Sequence, residues 1–268
     1  MVKGLYTAYT GMANEQRRLN VLANNLANAT TTGYKKEGMV AQSFNDRLAL
    51  KIKDTSYANN NIPQRIGNLT FGVKVGETYT NWDQGSLQIT DKNSDVALSG
   101  QGWFAIEFTN KAGETSVMYT RDGAFNVDNQ GYLRTVDGDY VLNANAALGG
   151  ATGPGNRVQI NPQMSYSIDT EGNIVQNNAV VSRIGVVDFV DYNYVEKYGE
   201  NFVYLIEGGQ TQASTAQTIQ GALEASNVNV VDEMVDMITI ARAYEAGQKV
   251  IQTEDSTLDK AVNQVGRV

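Results

Sequence analysis

At 268 residues, 41% of them hydrophobic, the chain can bury one sizeable core or two smaller ones, which excludes a disordered polypeptide. A formal net charge of −8, with no basic run longer than Arg17-Arg18 or Lys35-Lys36, argues against nucleic-acid partners, which need a concentrated positive face. The complete absence of Cys and His excludes Ser-His-Asp and Cys-His nucleophiles, thiolate or imidazole zinc sites, and disulfides.

Residues 1–29 predict a helix, although Gly4, Gly11 and several Asn residues lower its intrinsic propensity, so packing must hold it. Leu5, Met12, Leu19 and Leu26 recur every seven residues, with Ala8, Leu22 and Ala29 on the adjoining row. Thr30-Thr31-Thr32 resist helix, and Gly33 suits a left-handed cap or turn. Residues 34–50 predict a second short helix, with Val40, Phe44 and Leu48 on one face, and residues 54–68 a polar linker.

From Leu69 the period changes to two. Val73, Val75 and Tyr79 alternate with polar residues, followed by Leu87 with Ile89, Val96 with Leu98, and Phe104 with Ile106 and Phe108. Asp83-Gln84-Gly85, Asn110 to Gly113, Asp128 to Gly131 and Asp137-Gly138 punctuate an antiparallel region, with a flexible break at Gly149 to Gly155. Strands resume through Val158, Ile168, Ile174, Val180, Ile184 and the run from Phe202 to Ile206. Phe125 to Leu133 and Tyr166 to Ile174 share one pattern: aromatic, polar, aliphatic, Asp, two polar residues, Gly. The spacing lacks the alternate ligands and distal Glu of a calcium loop, so both copies predict hairpins in which Asp caps the turn and Gly takes positive φ.

Residues 226–268 predict the longest element. Val230, Met237, Tyr244, Ile251, Leu258 and Val265 form a heptad row, and Met234, Ala241, Gln248, Asp255 and Val262 stand four further on. A helix over 230–265 would be about 54 Å long, too long to be buried by an ordinary domain, so it needs a partner. Asn229 is the expected N-cap, with Asp232 and Glu233 placing negative charge in the first turn. The N-terminal segment is net positive and the C-terminal one net negative, a weak preference for pairing. Periodicity alone leaves open whether the two seams meet within one chain, as a helical hairpin, or between neighbouring copies.

The elements predict an α+β, mainly β fold: a central antiparallel β domain over 69–225, flanked by long terminal helices that pair in a coiled-coil-like manner (1–33 with 226–268), and a short helix and linker over 34–68. No run of 18 apolar residues exists, so no membrane-spanning helix is expected, and the polar interruptions of residues 1–29 argue against a Sec-type signal peptide. Gly100-Gln101-Gly102-Trp103-Phe104-Ala105 matches a dinucleotide fingerprint, yet a strand follows where a helix is required. Acidic residues and Trp82 with Trp103 could in composition line a sugar site, but no spacing selects a carboxylate pair. No enzyme activity, cofactor, metal or small-molecule substrate is expected.

Ala23 to Lys35 (ANNLANATTTGYK) resembles the N-terminal signature of the flagellar basal-body rod and hook protein family. Glu224 to Val228, Arg242 to Ala246 and Lys249 to Thr253 resemble its C-terminal signature, while Gly100 to Phe104 and Tyr119 to Phe125 resemble its β-domain motifs. The resemblance implies a structural rod subunit of proximal or distal type, with a hook-type axial protein of the same family as the alternative; outside the resemblance, the residues also allow a self-contained secreted β binding module with an internal helical hairpin. The resemblance implies helical polymerisation into a hollow, torque-transmitting shaft, with the terminal helices forming the inner wall and the β domain the outer layer. It also implies a place in the flagellar basal body, reached through the flagellar secretion channel without a cleaved signal peptide. The partners implied are copies of the chain and related axial subunits, and the assembly interface comprises Leu5, Met12, Leu19, Leu22, Leu26, Val230, Met234, Met237, Ile238, Tyr244, Ile251, Leu258 and Val262.

Overall fold

The computed structural model describes residues 2–51, 64–150 and 152–265. It divides into two compact units: residues 1–26, 37–81 and 229–268 form the first, and residues 27–36 and 82–228 the second. The first unit holds helix α1 (Val2–Ala27) and strands β1 (Glu37–Ser43), β2 (Arg47–Lys51), β3 (Gln64–Leu69) and β4 (Val73–Thr80). The second continues through β5 (Leu87–Ile89), β6 (Val96–Ser99), β7 (Trp103–Thr109), β8 (Thr115–Thr120), β9 (Asn126–Val127), β10 (Leu133–Arg134), β11 (Tyr140–Val141) and a short helix α2 (Ala144–Gly149). It ends with β12 (Ser167–Ile168), β13 (Asn173–Gln176), β14 (Ala179–Arg183), β15 (Val186–Phe189), β16 (Val195–Tyr198), β17 (Phe202–Leu205), β18 (Thr211–Ala213), β19 (Gln217–Gln220) and β20 (Ala222–Glu224). Helix α3 (Val230–Lys260) returns to the first unit and runs on as a π-helical turn over Ala261–Val265.

The short helix expected over 34–50 is instead the strands β1 and β2. The four-residue spacing of Val40, Phe44 and Leu48 mimics a helical face, but ladder partners far along the chain decide the matter. β1 pairs antiparallel with β4, Met39 opposite Thr78 and Ala41 opposite Val75 across a bulge, and β2 pairs with β3. The expected linker over 54–68 becomes strand from Gln64, and its earlier part lies outside the described residues.

In the second unit the main sheet runs β16-β17-β8-β7-β11-β10-β9, with β15 joining β7 to β18. β7 is its centre because Trp103 to Glu107 is buried on both faces. Phe104 packs with Phe125, Leu133, Val141 and Ile174 on one side, while Trp103 and Ala105 pack with Tyr119, Val187 and Phe189 on the other. The ring of Phe104 meets Phe125 edge-on at 5.1 Å, and Tyr119 meets Phe189 likewise at 5.1 Å, adding directional contact to the burial. The two echoed turns are superimposable in their bonding. Gly131 N–H donates to Asp128 O and Gly172 N–H to Asp169 O, both glycines lie at φ near +80°, and each Asp carboxylate caps the next residue's N–H.

A charge stands at an inward position of β7. Glu107 is buried and accepts two hydrogen bonds from Arg157, Nε at 2.9 Å and Nη2 at 3.0 Å. Those bonds hold its carboxyl below the usual carboxylate range, outweighing burial, which pushes it up. A carboxyl held low in the fold adds stability above its unfolded pKa and loses it as pH falls. Urea unfolding is therefore expected to show stability dropping below about pH 4.3, and less steeply in Glu107→Gln.

Candidate assembly interface

Two constructions bring the signature residues together, one in each unit. In the second unit Glu224 closes β20 at an inward strand position, between buried Ala222 and buried Val228. Its carboxylate is fully buried and accepts from Lys35 Nζ at 2.6 Å and Arg121 Nη1 at 3.0 Å, both cations also buried. Gly85 N–H reaches the same oxygen as Lys35, at 2.9 Å. The cations have further acceptors: Lys35 donates to Asp83 O at 2.8 Å, and Arg121 donates to Gly100 O at 2.9 Å with its guanidinium 5.3 Å from the Trp103 ring. Burial lowers the Lys35 pKa, and Glu224 opposes that shift. Residues from the N-terminal signature, the YTRDG motif and the C-terminal signature thus meet on one carboxylate.

The turn at Gly33 seats the N-terminal signature on this cluster. Gly33 lies at φ +70°, and its N–H donates to Glu224 O at 2.9 Å. Thr32 Oγ1 donates to Asp122 Oδ1 at 2.8 Å, and the same oxygen accepts Ala124 N–H at 3.1 Å. Burial raises the Asp122 pKa, and these hydrogen bonds pull it back. Asn227 binds Lys36 N–H at 2.7 Å and Asp83 O at 3.0 Å. The ion cluster went unread in the sequence because nothing local marks Glu224 as buried. The available signal was a lone acid in phase with the inward residue of a short apolar strand.

In the first unit α1 and α3 lie antiparallel. Gly4 faces Glu254, Ala8 and Met12 face Gly247, and Asn25 donates to Glu233 at 3.2 Å. Asn25 also joins the strand layer, exchanging hydrogen bonds with the backbone of Glu37 at 2.8 and 3.0 Å. The expected N-cap holds: Asn229 Oδ1 accepts Val231 N–H at 3.1 Å and its amide donates to Asp232 at 2.8 Å.

The row of α3 turned to α1 combines the heptad row with residues three further on; of the row four further on, Ala241 is half-buried and Met234, Gln248, Asp255 and Val262 are exposed. Met237, Tyr244, Ile251 and Leu258 are half-buried on the same face as Glu233, Ile240, Gly247 and Glu254. Glycines at the crossing set this register, since a Cβ on Gly247 would stand 2.7 Å from Met12 Cγ. That choice accounts for the polar Gln248 and Asp255 in the row four further on, which lie exposed. On α1, Leu5, Met12, Leu19, Leu22 and Leu26 are all half-buried. Val230, Met234, Ile238 and Val262 are exposed, Met234 at 49% and Ile238 at 56%.

With Val231 and Val235, the exposed Met234 and Ile238 complete a stripe at i, i+3, i+4 and i+7 on the side of α3 opposite α1. Four large apolar residues on one exposed helical face are more than the scattered exposure usual on a soluble surface. Among the described residues no group of acids could hold a metal ion, and no helix is long and apolar enough to cross a membrane.

Three family models match the chain in order: Flagella basal body rod protein over residues 5–35, Flagellar hook protein FlgE/F/G D1 domain over 97–178, and Flagellar basal body rod FlgEFG protein C-terminal over 219–265. Among its relatives, the flagellar basal-body rod protein FlgG of Bacillus subtilis (strain 168) is 31% identical, over 98% of this chain and 99% of the relative. FlgG of Borreliella burgdorferi is 32% identical over 98% of each, and the rod protein FlgF of Mesorhizobium japonicum 31% identical over 99% of each. Matched from end to end by these rod proteins, with its two signatures joined on Glu224 and its terminal helices joined to each other, the chain belongs to the flagellar basal-body rod protein family.

Proposed function

We propose that this structural rod subunit polymerises helically with copies of itself and with related axial subunits, its terminal helices lining a hollow shaft that transmits torque. Its work is mechanical, without catalysis, and it reaches the basal body through the flagellar secretion channel. The observation that carries the reading is the stripe Val231, Met234, Val235 and Ile238, left exposed after α3 has met α1. A helical hairpin built only to close one chain has no use for a second apolar face. The internal pairing of α1 with α3 is common to this reading and to that of a self-contained module; the stripe favours polymerisation.

Burying each of these side chains against a neighbour contributes on the order of 1.5–3 kcal/mol before ordering costs, and heterologous contacts that do not close on themselves build a filament. Met234→Asp with Ile238→Asp places two charges on that face and is expected to abolish polymer while both units keep their fold. Sedimentation reads the first and circular dichroism the second; a folded double variant that still polymerises removes the stripe from the mechanism. Met237 and Ile251, half-buried toward α1, are poorer choices because Asp there also opens the helix pair.

A further inference from the structure

The terminal-helix unit has a concave face as well as a projecting one. On the side of α1 turned away from α3, a groove of about 410 Å³ runs between α1 and the β1–β4 ladder, with Val21, Met39 and Val75 along it. Arg17 stands at one end of the groove. Glu37 stands at the other, beside Asn25, whose side chain bonds its backbone. Arg17, Val21 and Asn24 fall at i, i+4 and i+7, half a turn around α1 from Ala8 and Met12, which face α3.

Resting on the polymerisation reading above, we propose that this groove receives α3 of the next copy, with the stripe from Val231 to Ile238 lying along Val21, Met39 and Val75. An amphipathic helix set apolar face down in a groove is an established mode of recognition, and the charges here give it a direction. Exposed Asp232 stands beside Val231 at the N-terminal end of the stripe, and exposed Arg242 follows Ile238 by one turn. Laid parallel to the receiving α1, the incoming helix brings Asp232 to Arg17 and Arg242 to Glu37; laid antiparallel, it brings like charges together. The spans agree, since Asp232 to Arg242 covers about 15 Å of helix and Arg17 to Asn25, next to Glu37, about 12 Å.

The two faces also explain why a second copy is the occupant. Stripe and groove point in opposite directions across the α1–α3 layer, so two copies cannot exchange identical contacts. Each copy offers its stripe to one neighbour and its groove to another, which is the heterologous, open-ended arrangement a filament needs.

The chain has no cysteine, which makes the test direct. A Val21→Cys/Ile238→Cys double variant, oxidised under conditions where the wild-type chain polymerises, is expected to give a ladder of disulfide-linked oligomers. An equimolar mixture of the two single variants is expected to stop at heterodimers, and each single variant alone to stay unlinked. Self-linking by Ile238→Cys alone, or no ladder from the double variant while the wild-type chain polymerises, overturns the groove and leaves the polymerisation reading standing. A wild-type chain that sediments as a monomer at every concentration overturns both. Charge reversal supplies the second arm: Arg17→Glu and Asp232→Arg are each expected to weaken association several-fold, and the two together in one chain to restore it. Failure of the combined variant to recover overturns the parallel placement.

Discussion

Replacing Glu224 by Gln is expected to destabilise the β unit by about 3–5 kcal/mol, the range for removing one partner of a buried ion pair. The cost is high because one carboxylate serves two buried cations, Lys35 and Arg121, and a Gln removes the counter-charge that they share. Both tryptophans of the chain, Trp82 and Trp103, lie in this unit, so intrinsic fluorescence during urea unfolding reads the change directly. An unfolding midpoint close to wild type would mean that the cluster carries no such energy.

The two cations are not equivalent. Lys35→Met leaves one carboxylate on one guanidinium and is expected to cost far less than Glu224→Gln, because burial already works against the charged amine. The sign can be checked by pH. A lysine whose pKa is lowered by folding binds its proton more tightly when unfolded, so stability rises with pH between the lowered value and about 10.4. That rise is expected in the wild-type chain and should be weaker in Lys35→Met.

Gly33→Val is expected to be the other severe substitution. At φ +70° any side chain costs about 1–3 kcal/mol in backbone strain alone. A Cβ there would also stand 2.5 Å from Asp122 N and 2.7 Å from Arg121 C, backbone atoms that cannot rotate away. The turn must then lift off the Arg121-Asp122 segment, loosening the Gly33 bond to Glu224 O and drawing Lys35 from its site. A fall in Tm of at least about 5 °C is expected by fluorescence, and an unchanged Tm would contradict the close seating. Gly11 is the contrasting case: nothing lies within 4 Å of its Cβ position, so Gly11→Ala within α1 is expected to be neutral or to stabilise by up to about 1 kcal/mol.

Legibility followed the range of the interactions. The echoed turns were plain because Asp128 with Gly131, and Asp169 with Gly172, bond within four residues. The Asn229 cap was plain for the same reason. β1 and β2 were misread as helix because their partners, β4 and β3, lie further along the chain, and apolar residues spaced by four fit a bulged ladder as well as a helical face. The ion cluster needed Lys35, Arg121 and Glu224 to meet across more than a hundred residues, which no spacing can announce.

Sequence alone determined that both ends are helical, that strands and tight turns fill the middle, and, through the signatures, the family. Periodicity and turn chemistry are local, so they survive in one dimension. Tertiary structure decided which rows of α3 turn toward α1, because a heptad pattern permits residues three or four further on, and only the close crossing at Gly4 and Gly247 selects between them. That selection leaves Val231, Met234, Val235 and Ile238 facing outward, and the surface available to a neighbour exists only once the helix pair has formed.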